Sequence, residues 1–323
     1  MLALLTPKPF RGDVIAAGVV VLVTLVWTLA FRFQEAWAPG VHLAYGAVAL
    51  AFVGAMATLA PMEGDQPRAY QSVLYLATIS LWAAVLLALV RCVGANDVVP
   101  VLRAATLVLL AVALLGFAFS VRHNSAVCTL VGAIAAGSAA LTGLGWVATP
   151  DSISPFRWLL LAEMAVFGVA AIGNRDRRPR HGVALVNAAG LAVLGIALSF
   201  SLQAWATDWV SLSGHAYGGA RELWLEGGGV PWGWELLIVA AGFGLVAYSS
   251  VDRQPGPAYL GVVNLVLFTT LTSTGIVHAT LVGWPLALAI AAAFLLAVGL
   301  RPTTPAPPPP DIDAPEPPPL PLR

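Results

Sequence analysis

The chain has 323 residues, 59% of them apolar, and its 16 basic and 16 acidic residues cancel. Charged residues make up 10%, far below the ~25% of soluble domains, and high hydrophobicity excludes a chain that is disordered throughout. Zero net charge without a basic domain excludes nucleic-acid binding by bulk electrostatics, and two cysteines exclude a disulfide scaffold.

What remains is an all-α polytopic membrane protein. A hydrocarbon core about 30 Å thick is crossed by about 20 apolar residues rising about 1.5 Å each. Ten runs satisfy this, at roughly 13–32, 41–60, 71–91, 101–120, 125–147, 157–173, 183–206, 233–250, 258–276 and 279–300. Residues 1–300 therefore read as a transmembrane domain and 301–323 as a tail. The breaks are turn or charge punctuation: Pro39-Gly40, Pro61 to Arg68, Asn96-Asp97, Arg122-His123-Asn124, Pro150-Asp151 and Asn174 to His181. The break between the ninth and tenth runs, Ser273 to His278, is the weakest.

The first run follows Lys8 and Arg11, and Ala36-Trp37-Ala38 resembles a signal-peptidase site. The apolar stretch from Val14 to Phe31 is longer than the roughly 7–15 residues of a signal peptide, so an uncleaved helix is expected. Ten spans put both termini on one side. If that side is the cytoplasm, it holds Lys8, Arg11, Arg68, Arg122, Arg175, Arg177, Arg178, Arg180, Arg253, Arg301 and Arg323. Arg32, Arg91, Arg103, Arg157 and Arg221 fall outside. The bias has the direction the positive-inside rule requires.

Ala47, Ala51 and Ala55 in the second span, and Gly132, Ala136 and Ala140 in the fifth, recur every fourth residue. That spacing predicts close helix contacts. Cys92 ends an outward span and Cys128 opens another near the inner face, so a disulfide is not expected. In the sixth span Glu163 is an ionisable residue deep in an apolar run, the usual mark of a functional site. It would carry protons, anchor a polar ligand, or hydrogen-bond a neighbouring helix. Asn187 and Asn264, near the inner ends of the seventh and ninth spans, read as vestibule residues or as interhelical partners.

The longest outer segment, from Ala206 to Trp232, carries His215, Arg221, Glu222, Trp224 and Glu226 among glycines. It is a candidate outer contact site, but it lacks metal or acid–base motif spacing. Eight of the eleven tryptophans fall at or near the outer boundary, and none marks the inner one. A one-sided aromatic face either anchors the protein or receives a lipid, apolar ligand or partner. The inner hairpins echo one another at Asp65 to Tyr70, Arg178 to Val183 and Asp252 to Tyr259, which suggests tandem two-helix units. Eleven of the last 23 residues are proline, so the tail cannot be helical and is expected to be extended or disordered. It either docks a cytoplasmic protein or solvates the terminus.

No phosphate loop, dinucleotide fingerprint, zinc motif or nucleophile elbow occurs. Lys8 is the only lysine, so no span offers a Schiff-base lysine. No enzyme activity and no cofactor is expected. Two readings stand: a non-catalytic scaffold, sensor or complex subunit, or a permease for lipid or apolar solutes working through Glu163 and the outer loop. Arginine's dominance over lysine suggests a GC-rich bacterial genome, hence the cytoplasmic membrane, with membrane lipid and a tail-binding protein as partners.

Overall fold

Proline and glycine punctuation decides where the helices begin and end. Pro39 and Pro155 occupy the first turns of two of them, where a missing N–H costs nothing, and two others open on Pro179 and Pro255. The computed structural model describes residues 12–61, 67–94, 98–213, 231–252 and 254–275, and among them every regular element is helical. In chain order these are α1 (Gly12–Arg32), α2 (Pro39–Leu59), α3 (Ala69–Val93), α4 (Val98–His123), α5 (Ala126–Val147), α6 (Ser154–Asn174), α7 (Pro179–Ser213), α8 (Trp232–Asp252) and α9 (Pro255–Gly275). Helices α1 to α8 are long and apolar enough to cross a membrane, and α9 adds the apolar stretch Pro255–Phe268. The chain is a helical transmembrane bundle. The tenth expected span, 279–300, and the proline-rich tail lie outside the described residues.

The observed helices run past the apolar stretches. The sixth begins at Ser154 rather than 157, and the seventh runs from Pro179 to Ser213 rather than 183–206. Composition finds the hydrocarbon core, whereas helix ends follow caps. Gly94, at φ 79°, closes α3 in the left-handed region that favours glycine. Between α4 and α5 the chain turns on Asn124 (φ 50°), and the Ser125 side chain then accepts the Cys128 N–H at 3.5 Å. At the start of α3, Gln71 is fully buried: its Oε1 accepts the Arg68 N–H at 2.8 Å, and its Nε2 donates to the Pro61 carbonyl at 2.7 Å.

The largest packing interfaces join consecutive helices, α2 with α3, α4 with α5, α6 with α7 and α8 with α9. Each pair is an antiparallel hairpin, and all four turn at the same end of the bundle. The odd-numbered helices also pack in series, α1 on α3, α3 on α5, α5 on α7 and α7 on α9. The result is a row of tandem hairpins. The hairpin-turn end carries Arg68, Arg122, Arg175, Arg177, Arg178 and Arg180. The opposite end carries Trp37, Trp146, Trp158, Trp232 and Trp234. There Trp158 meets Trp234 edge-on at 5.2 Å, and the Arg103 guanidinium lies 5.5 Å from the Trp146 ring centre. The sequence's division into a basic and an aromatic face is thus a division between two ends of one bundle. Cys92 is exposed near the tryptophan-rich end, and Cys128 is fully buried near the arginine-rich end, both as free thiols.

The main core joins the first hairpins through Val53, Leu74, Tyr75, Leu81 and Cys128. Glycines set the closest crossings. A Cβ on Gly116 of α4 would stand 3.0 Å from the Gly132 Cα of α5, and one on Gly261 of α9 would stand 2.5 Å from the Gly242 carbonyl oxygen of α8. Here small residues let backbones touch, as expected in lipid. Gly132 thus behaves as its spacing predicts, and Ala136 packs against the core, but Ala140 is exposed. The Ala47, Ala51 and Ala55 stripe is a correction: Ala47 and Ala51 face outward. Helix α2 instead buries His42, Gly46, Ala49, Val53, Met56 and Ala57. In an alanine-rich helix many faces show small residues at that spacing, and the larger apolar groups decide which one turns inward.

Candidate functional site

The intramembrane candidates occupy α6, α7 and α9. Glu163 stands nine residues after Ser154, roughly 13 Å along α6 at the usual rise, close to mid-depth. Its side chain reaches α5 at Gly137, where an added Cβ would come within 2.6 Å of Oε2. The glycine therefore makes room for the carboxylate. Among the described residues Glu163 Oε1 is buried with no hydrogen-bond partner. Arg157, six residues earlier, does not pair with it. Its Nε donates to Ser199 Oγ on α7 at 2.9 Å, and its guanidinium carbon lies 3.5 Å from the Phe200 ring centre. The arginine is 8% exposed, with a hydroxyl and an aromatic face among the groups that hold it.

Asn187 and Asn264 meet the same interface, α7 against α9, from opposite sides. Asn264 of α9 is fully buried, and its Nδ2 donates to the Gly190 carbonyl of α7 at 3.5 Å. The amide of Asn187 of α7 lies against Gly256 of α9, where a Cβ would stand 3.0 Å from Nδ2. Each asparagine reaches a glycine of the other helix. Asn264 thus bonds across the interface, while Oδ1 of both asparagines is buried without a hydrogen-bond partner. The two do not form one site with Glu163, which faces α5. His215, Arg221, Glu222, Trp224 and Glu226 lie outside the described residues.

The sequence reading missed the densest polar cluster, at the arginine-rich end. His181 of α7 enters between α4 and α5. Its Nε2 lies 2.9 Å from Asn124 Oδ1 and its Nδ1 lies 2.5 Å from Thr129 Oγ1. Ser120 Oγ is 2.6 Å from Thr129 Oγ1. An amide oxygen only accepts, so with the amide placed as it stands Nε2 carries the ring proton and donates to Asn124. Nδ1 then accepts the Thr129 hydroxyl, and Thr129 Oγ1 accepts the Ser120 hydroxyl. Ser120, Thr129 and His181 are each at most 5% exposed. Beside them His123 stacks on Tyr75, ring centres 4.7 Å apart, across the α3–α4 contact. The sequence did show the break at Arg122 to Asn124. It gave no sign that His181, in a stretch of arginines, points inward.

A hydroxyl–imidazole–amide chain has the parts of a nucleophilic relay, but burial of Ser120, Thr129 and His181 keeps a substrate from the hydroxyls. Its geometry instead locks three helices together. Among the described residues no cluster of three or more His, Cys, Asp or Glu could hold a metal ion. Comparison of the chain with family models, with curated proteins and with solved structures gives no match.

Proposed function

We propose that the protein is a non-catalytic component of the bacterial cytoplasmic membrane, a scaffold, sensor or complex subunit with both termini in the cytoplasm. The observation that supports this reading is how the polar groups of the spans are used. His181, Thr129, Ser120 and Asn124 satisfy one another across α4, α5 and α7. Arg157 binds α7, and Thr106 donates to Thr142 across α4 and α5 at 3.0 Å. These contacts fasten helices to one another; among the described residues Glu163 Oε1, Asn187 Oδ1 and Asn264 Oδ1 are buried without a hydrogen-bond partner. Eleven prolines among residues 301–323 make a sequence of the kind aromatic grooves recognise. The test is purification of the intact chain in lipid nanodiscs beside a chain lacking 302–323, with mass spectrometry of bound species.

Glu163 supports a second reading, a permease for lipid or apolar solutes. A buried carboxyl oxygen without a donor is costly, and such an orphan at mid-depth marks ion or substrate paths. On that reading Glu163→Gln lowers uptake or export at least tenfold while leaving the purified amount unchanged. On the scaffold reading the same change leaves partner binding intact.

The orientation has its own test in the two native thiols. An impermeant maleimide added to intact cells labels the wild-type chain through exposed Cys92, and Cys92→Ala abolishes the signal. Labelling that appears only after lysis would invert the topology.

A further inference from the structure

At the tryptophan-rich end, α1, α2 and α3 enclose a cleft of about 70 Å³ that uses none of the residues discussed above as site candidates. Val26, Trp27, Ala30 and Phe31 of α1 form one wall, and Ala84, Leu87, Ala88 and Arg91 of α3 form the other. His42, Tyr45 and Gly46 of α2 complete the lining. From Ala84 to Arg91 the α3 wall climbs seven residues, roughly 10 Å along the helix. The wall is therefore apolar below and cationic at its top, where α3 leaves the membrane.

The walls are fixed in place. Trp27 Nε1 donates to Ser80 Oγ at 2.8 Å, and Trp27 stacks on Phe31 with ring centres 5.5 Å apart. His42 is 4% exposed, its Nδ1 lies 2.8 Å from the Tyr45 hydroxyl, and its Nε2 lies 3.3 Å from the Phe33 carbonyl oxygen. Trp37 closes the assembly from outside, stacked on Phe33 at 4.6 Å. The rim opens sideways: Phe31 is 63% exposed and Leu87 39% exposed. Arg91 is exposed, and among the described residues no acidic side chain lines the cleft.

We infer that this cleft seats part of one membrane phospholipid with an anionic headgroup, its phosphate on Arg91 and a short length of acyl chain entering beside Ala84, the rest of the lipid lying in the bilayer. Charge complementarity selects the occupant, because among the described residues the cleft offers an exposed guanidinium and no carboxylate. The depth profile selects a lipid over a soluble anion, because the cation stands at the interface and the apolar wall runs below it. The sideways opening admits a lipid from the bilayer without unfolding the hairpin. Arginine is suited to the task because its planar fork matches two phosphate oxygens.

The test is native mass spectrometry of the full chain, stripped in detergent and titrated with phosphatidylglycerol or phosphatidylcholine. One lipid binds in the wild type with about five- to tenfold preference for phosphatidylglycerol, the range one interfacial cation supplies. Arg91→Gln removes that preference. Arg103→Gln, at the same end but over Trp146, leaves it intact. Ala30→Leu, which fills the half-buried wall of α1, weakens both lipids. Equal affinity for the two lipids in the wild type, or an unchanged preference in Arg91→Gln, overturns the proposal. Displacement by an equal concentration of glycerol phosphate, or a second copy of the chain in place of lipid, also overturns it.

Discussion

His181→Leu is expected to lower stability by about 2–4 kcal/mol, read as a lower unfolding midpoint in a denaturing-detergent titration. The leucine fills the volume but leaves Asn124 Oδ1, Thr129 Oγ1 and Ser120 Oγ facing an apolar side chain. In water each orphaned group costs about 1–3 kcal/mol. In a bilayer the unfolded helices also find partners, and interhelical hydrogen bonds average about 0.6 kcal/mol with a ceiling near 1.7. Loss of Nε2···Asn124 and Nδ1···Thr129, with Ser120 left relying on Thr129, therefore adds to a few kcal/mol rather than ten. Asn at position 181 is expected to recover part of the loss. A His181→Leu chain as stable as wild type would mean that the cluster does not fasten α7 to the α4–α5 hairpin.

Gly261→Leu is expected to be at least as damaging, and for a different reason. The obstacle to a side chain there is the Gly242 carbonyl oxygen, 2.5 Å from where its Cβ would stand, with the Val246 backbone N at 3.1 Å. A flexible side chain can rotate away, but backbone can move only if α8 and α9 separate. Overpacking costs about 1–3 kcal/mol where neighbours can yield, so the effect here is expected to be about 3 kcal/mol or more. Gly244→Leu, two residues along α8 with nothing within 4 Å of its Cβ, is the matched control and is expected to be neutral. Equal yields of folded protein from both variants would show that the α8–α9 crossing is not close.

Much of this architecture is written in the sequence. Apolar runs of membrane length, broken by Pro39, Asn124 and Pro150, match helices α1 to α9 to within a few residues except at the end of α7, because in a bilayer apolarity and helix are nearly one requirement. The opposed placement of arginine and tryptophan gave the two ends. The facing of individual side chains was not legible. Ala47 and Ala51 looked like contact residues and are exposed, because small residues populate several faces of α2 and only tertiary packing chooses among them. Arg157 read as a marker of the outer boundary, yet it folds inward onto Ser199 and Phe200, since its long stem lets it reach a neighbouring helix. The His181 cluster draws on α4, α5 and α7, so no local spacing announces it. Glu163 was visible as a lone carboxyl in an apolar run. Its seat on Gly137 was not, because that depends on which helix α6 faces.

The measurement that bears most directly on the proposed role is recovery of the intact chain in lipid nanodiscs, beside the chain lacking 302–323, with every co-purifying species weighed. A non-catalytic membrane scaffold predicts a stoichiometric protein partner on the intact chain, absent once the tail is removed, with Glu163→Gln binding it as well as wild type does. A chain that carries lipid or a small molecule, has no protein partner, and loses transport in Glu163→Gln would contradict it.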